Sequence, residues 1–142
     1  MYKHILVATD GSSFSTPASR TAVQLAKSLG AKLTAIYVAA PYAGTGAAAI
    51  ASLKGFRRAV QKDERRALAA FRAEARAHGV TARATAVVGG EPWRRILLSA
   101  RVRSCDLIVM ASHGRSGLAG LLLGSETTKV LTHSKIPVLV CR

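Results

Sequence analysis

The run Leu107-Ile108-Val109-Met110, followed by Ala111-Ser112-His113-Gly114-Arg115-Ser116-Gly117, decides the reading of this chain. Its first four residues are apolar, uninterrupted and rich in branched side chains, as in a strand buried on both faces of a parallel sheet. A glycine-rich loop leaves that strand at its carboxyl end, where open α/β sheets hold their ligands. Glycine permits φ > 0 and lets backbone N–H groups come close to a phosphate. Beyond Leu118 to Leu123, a helix opening near Gly124-Ser125 would add unsatisfied N–H groups and the positive end of its dipole. The Ser125 hydroxyl would then serve as helix N-cap or as a phosphate donor. These features outline a nucleotide pocket.

The loop fits none of the common phosphate or nucleophile motifs. No Gly-Lys-Ser/Thr occurs anywhere in the chain, which excludes a Walker A loop. Gly114, Gly117 and Gly120 are spaced three apart, unlike G-x-G-x-x-G. Gly114-Arg115-Ser116-Gly117 places its second glycine one position too early for a nucleophile elbow.

Working outward, strand and helix signals alternate along the whole sequence. The first strand is expected over about Lys3 to Thr9. The turn Asp10-Gly11-Ser12-Ser13 leads to a helix with Thr16 as N-cap, Pro17 at its first position and Gly30 as its stop. A second strand runs from Lys32 to Val38, followed by a small-residue stretch, Ala39 to Ala51, with the composition of a flap. A long basic helix ends near His78-Gly79. Further expected elements are a strand over Thr81 to Val88, a helix begun by Glu91-Pro92, and the strand Asp106 to Met110. A helix from Ser125 to His133 and a strand from Ile136 to Cys141 close the chain. With right-handed crossovers these elements predict one α/β domain over residues 1–142. It is a doubly wound five-stranded parallel sheet in the order 3-2-1-4-5, with helices on both faces. Asp10 and the loop after Met110 would then face each other across one crevice.

A chain of 142 residues, 49% hydrophobic and 20% charged, is long enough for one globular core. No apolar run is long enough to span a bilayer, and no signal-peptide pattern precedes the first strand. Cys105 and Cys141 lack metal-ligand spacing and read as reduced thiols, so a cytoplasmic protein is expected. Charge is the unusual property. Twenty-one Lys and Arg against seven Asp and Glu leave +14, a surface that attracts polyanions. Lys54, Arg57, Arg58, Lys62, Arg65, Arg66, Arg72 and Arg76 concentrate in the long helix. Apolar Leu53, Phe56, Val60, Ala67, Phe71 and Ala75 alternate with them at near-helical spacing. That pattern fits the solvated face of an amphipathic helix or a nucleic-acid surface, without interleaved aromatics to stack bases.

The loop resembles the universal stress protein family, whose ATP-binding members carry Gly, two residues, Gly, nine residues, then Gly-Ser/Thr. Gly114, the nine residues Arg115 to Leu123, and Gly124-Ser125 match it, while the first glycine falls on Ala111. The resemblance extends along the chain, through Ala8-Thr9-Asp10-Gly11-Ser12, Tyr37-Val38 and the closing Ile136-Pro137-Val138-Leu139-Val140. It implies an ATP or other adenine-nucleotide site, with or without Mg²⁺. The implied site comprises Ala8, Thr9, Asp10, Val38, Met110, Ala111, His113, Gly114, Arg115, Ser116, Gly117, Gly124, Ser125 and Glu126, with Val38 against the adenine. Asp10 would bond the nucleotide, help hold Mg²⁺, or simply cap its own turn. Arg115 offers a phosphate fork or points to solvent.

No nucleophile, base and orienting group come together in the sequence. The expected role is therefore a nucleotide-responsive regulatory module in the stress response rather than an enzyme. The alternative is a stress protein without nucleotide that uses its basic helix to engage nucleic acid or an acidic partner. Slow ATP hydrolysis with His113 as base is a third reading. The apolar last strand lies at a sheet edge, where unpaired backbone groups would be covered by the same strand of a second copy, giving a homodimer.

Overall fold

The computed structural model describes residues 1–39, 42, 46–114 and 123–142, with the backbone alone at 49 and 50. Its strands are β1 (His4–Thr9), β2 (Lys32–Val38), β3 (Ala82–Val87), β4 (Leu107–Ala111) and β5 (Val138–Cys141). Its helices are α1 (Thr16–Leu29), α2 (Gly46–Ala77), α3 (Pro92–Val102) and α4 (Ser125–His133), with one 3₁₀ turn at Ser13–Ser15. All strand pairs are parallel, in the order β3-β2-β1-β4-β5. Fold class and strand order are those expected from the sequence.

Side chains alternate across the central strands and divide the core in two. Ile5, Val7, Leu33, Ala35, Leu107 and Val109 pack against α1 and against Phe71 and Ala75 of α2. Leu6, Ala8, Ile36, Val38, Ile108 and Met110 pack on the opposite face, against Ile96 and Ala100 of α3 and Val130 of α4. Helices on both faces leave β1 and β4 buried throughout apart from His4, which explains why they read as unbroken apolar runs. From β1 the chain steps outward through β2 to β3, then α3 carries it back past both to β4. The connections after β1 and β4 consequently lead to helices on opposite faces, and a cleft opens at the carboxyl ends of the two strands.

Several boundaries differ from expectation. Ser15, not Thr16, is the N-cap of α1, so Pro17 takes the second helical position, where its missing N–H still costs nothing. The larger difference is at α2. It begins at Gly46 and runs for 32 residues, so part of the stretch expected as a flap is helical. At 1.5 Å per residue α2 is about 48 Å long, whereas a strand of six or seven residues spans only about 20 Å. The helix must therefore extend past the sheet.

Asp106 ties the start of β4 to the start of β1. Its carboxylate accepts the backbone N–H of His4 at 2.9 Å and of Lys3 at 2.7 Å, while its own N–H donates to the His4 carbonyl at 2.9 Å. Desolvation pushes this carboxyl up, but backbone donors, led by His4 and Lys3 and joined by its own N–H, together with the nearby His4 ring, outweigh it and hold the group below the usual aspartate value. The native state thus favours the ionised form. Its contribution is present above the unfolded-state pKa and is lost as pH falls through the native one. Asp106→Asn should destabilise the fold by about 1 kcal/mol near neutral pH and flatten the acid limb of the stability curve. Denaturant titrations across the acid range will check this, and an unchanged acid limb would remove Asp106 from the account.

Candidate functional site

The loops after β1 and β4 meet at the switch point. A methyl built on Gly114 would lie 2.9 Å from Oδ2 of Asp10, so a side chain here would displace the aspartate carboxylate. Gly124 has an ordinary extended φ of −68°. A methyl there would meet the Ser112 carbonyl at 3.2 Å and the His113 Cα at 3.4 Å. The freedom to adopt φ > 0 is therefore not what these two positions use; they need a bare backbone in tight contact.

Hydrogen bonds stitch the rim. Gly124 donates its N–H to the Ser112 carbonyl at 2.7 Å, and Ser112 donates its own to the Cys141 carbonyl at 2.7 Å. Buried Thr127 donates its hydroxyl to the Ala111 carbonyl at 3.0 Å. These bonds set the first turn of α4 directly above the end of β4. Gly124 is the N-cap and Ser125 the first helical residue, so Ser125 is not the cap that its position in the sequence implied. The first-turn N–H groups of α4 have no carbonyl one turn back to bind.

On the β1 side the turn is tied to itself. The Asp10 carboxylate accepts both the N–H of Ser12, at 2.9 Å, and its hydroxyl, the turn-capping role expected of an aspartate before glycine. Thr9 accepts the Gly11 N–H at 3.1 Å and donates to Ser15 at 2.8 Å, which donates to the Ser12 carbonyl at 2.8 Å. The Thr9 hydroxyl is thus committed to the turn.

Between these rims lies a cleft of about 530 Å³, inside the usual range for small-ligand sites. Ala8, Thr9, Asp10, Val38, Met110, Ala111, His113, Gly114, Gly124, Ser125 and Glu126 all line it. These are all the sequence-predicted site residues within the described chain; Arg115, Ser116 and Gly117 lie outside it. Glu126 also has structural partners, accepting the Trp93 N–H at the start of α3 at 2.8 Å and pairing with Lys129 at 3.5 Å. His113 places Nδ1 3.1 Å from the Ser112 hydroxyl. Its Nε2 is buried with no hydrogen-bond partner among the described residues, and no carboxylate orients the ring there.

Sequence reasoning missed one wall. Phe56, Ala59, Val60 and Asp63 of α2 roof the cleft, and Tyr37, Pro92 and Ile96 complete its apolar side. The signal was present, since the apolar positions of the basic helix begin well before those that reach the core at Leu68, Phe71 and Ala75. Asp10, Asp63 and Glu126 are the charged side chains among the described lining residues.

Comparison with known proteins agrees with this fold. The universal stress protein family model matches residues 1–142. A universal stress protein of Bacillus subtilis is 35% identical over the full length of both chains. Among solved structures, the universal stress protein UspA from Lactobacillus plantarum superposes with a TM-score of 0.79 at 25% identity, covering 99% of this chain and 98% of the other. A universal stress protein solved in complex with cAMP superposes at 0.70 with 30% identity, covering 99% and 97%. With its sheet order, the bonded ends of its glycine loop and a family match from end to end, the chain belongs to the universal stress protein family.

Proposed function

We propose that the cleft binds an adenine nucleotide, with ATP as the ligand expected from the loop, and that the protein works as a nucleotide-responsive regulatory module. The carrying observation is the pair Gly114 and Gly124, bare backbone packed against Asp10 and Ser112 in front of the open first turn of α4. Such an arrangement admits a phosphate to within reach of main-chain donors. Val38, Met110 and Ile96 offer an apolar slot for a base, and the cAMP complex of a relative supports the same class of ligand. The charged side chains of the described lining are all acidic, so a triphosphate needs its charge answered by the α4 amides and by Mg²⁺. The Asp10 carboxylate supplies the oxygen donor that such an ion prefers.

Binding without turnover fits the site, because His113 has no orienting carboxylate among the described residues. Cys105 and Cys141 are free thiols, which suits action in the reducing cytoplasm. Isothermal titration with Mg·ATP should give saturable binding, and absence of heat at millimolar nucleotide would overturn the assignment. Gly124→Val should weaken that binding by about tenfold or more, equivalent to at least ~1.4 kcal/mol, by forcing the Ser112 carbonyl away. Gly114→Ala should act in the same direction by displacing the Asp10 carboxylate. Wild-type affinity in both variants would separate the ligand from this loop.

The edge strand supports a second part of the reading, a homodimer joined through β5. β5 pairs with β4 on one side only, and Leu139 remains 37% exposed. A twofold pairing of β5 with its copy would satisfy its open backbone groups and cover Leu139. Light scattering should give twice the chain mass of 14.9 kDa, and Leu139→Glu should return it to one. A monomeric wild-type protein would end this proposal.

A further inference from the structure

We propose that the outward face of α2 is a docking surface for the phosphate backbone of duplex nucleic acid, a function separate from the nucleotide cleft. Lys54, Arg58, Lys62, Arg65, Arg72 and Arg76 follow one another in steps of three, four or seven residues, so they form one stripe along the helix. All six are exposed. From first to last the stripe covers about 33 Å, close to the ~34 Å of one turn of B-DNA. Arg57 and Arg66 flank it.

The charges of this stripe are not neutralised within the fold. Asp63, Glu64 and Glu74, the acids of α2, fall off the stripe and are half-buried. Among the described residues no carboxylate lies within 4.0 Å of Lys54, Arg58, Lys62, Arg65 or Arg76, whereas Arg66, beside the stripe, pairs with Asp63 at 3.2 Å. Arg72 gives one N–H to the Ala84 carbonyl at 2.7 Å and keeps others for a partner. Much of the chain's +14 charge therefore stands in an uncompensated row on one continuous helix.

The surroundings of the row select the kind of polyanion. A membrane-surface helix needs an apolar face to insert, but α2 spends its own on the core through Leu68, Phe71 and Ala75. Stacking on single-stranded bases needs exposed aromatics. The two aromatic residues of α2 are turned elsewhere: Phe71 is buried and Phe56 lines the cleft. A row of cations without pockets or anchors contacts phosphates and reads no sequence. The partner that fits is a rigid duplex, bound by charge and released by salt.

The test compares two variants of equal charge. One replaces Arg58, Lys62, Arg65 and Arg76 with Gln; the other replaces exposed Lys27, Lys32, Arg101 and Lys135 with Gln. Binding to a mixed-sequence duplex about two turns long, ~20 bp, is followed by fluorescence anisotropy between about 50 and 200 mM salt. The wild-type protein should show a log–log salt slope of about −4 to −5, one phosphate neutralised per free stripe cation. The stripe variant should bind at least about tenfold more weakly with a slope flatter by about 3 to 4, and the control should change by less than about threefold. Matching melting temperatures will show that both variants fold. Equal losses in the two variants would reduce the effect to overall charge and overturn the proposal. Anionic vesicles or poly-glutamate competing as well as the duplex, charge for charge, would overturn the choice of partner. Nucleotide titration of the stripe variant should match the wild type, so failure of one proposal leaves the other standing.

Discussion

Right-handed crossover is the constraint on which the rest of this molecule depends. A parallel strand returns to its sheet through a helix of fixed hand, so α1 and α2 cover one face while the chain moves outward to β3. Once α3 carries it back beyond β1, α3 and α4 must cover the other face. The connections following β1 and β4 then lead to opposite faces of the sheet, which leaves a crevice at the carboxyl edge between the two strands. What evolution builds at such an edge is a matter of stitching. Here the Ser112 carbonyl receives Gly124, the Ala111 carbonyl receives Thr127, and Asp10 presses on Gly114. Each contact holds an element end in place without filling the cleft, so that about 530 Å³ is left open to ligands.

Much of this was legible in the sequence because double burial leaves a plain trace. Leu107 to Met110 and Ile5 to Ala8 have helices on both sides and therefore no room for polar residues, and their periodicity could not be mistaken for a half-exposed strand. The glycine loop was legible for a different reason, since any side chain at Gly114 or Gly124 would have to displace the Asp10 carboxylate or the Ser112 carbonyl. Of the two reasons glycine offers there, positive φ and close approach, only the second operates at these positions. Sequence alone cannot separate a glycine kept for positive φ from one kept for contact, and it is contact that operates here. Ser125 shows the same limit at a helix end, where the position of the cap depends on which residue leaves helical geometry.

The roof of the cleft was the least legible part. Ala39 to Ala51 is rich in small residues, and small residues serve loops and helices equally well until tertiary contacts choose between them. The choice was recorded further along, in an apolar row too long for the sheet beneath it. Phe71 and Ala75 meet β-strand side chains, whereas Phe56, Ala59 and Val60 have passed the sheet edge and face the cleft. A comparison of helix length with strand length would have placed them there.

The same overhang joins the two surfaces of the protein that carry proposals. Along its C-terminal half α2 is fastened to the core, whereas its N-terminal half lies over the cleft. Helical segments with few buried contacts open at lower free energy than the fold as a whole. A base lodged against Phe56 and Val60 would bury apolar area beneath this segment and favour its packed position. Lys54, Arg58 and Lys62 stand on the outer side of that segment, while Arg72 and Arg76 stand on the fastened part. The cationic row is straight only when both halves of α2 are in line, so an occupant of the cleft and a rigid duplex on the outer face would stabilise the same conformation of one helix. Two ligands that favour one conformation favour each other, and the coupling requires no contact between them.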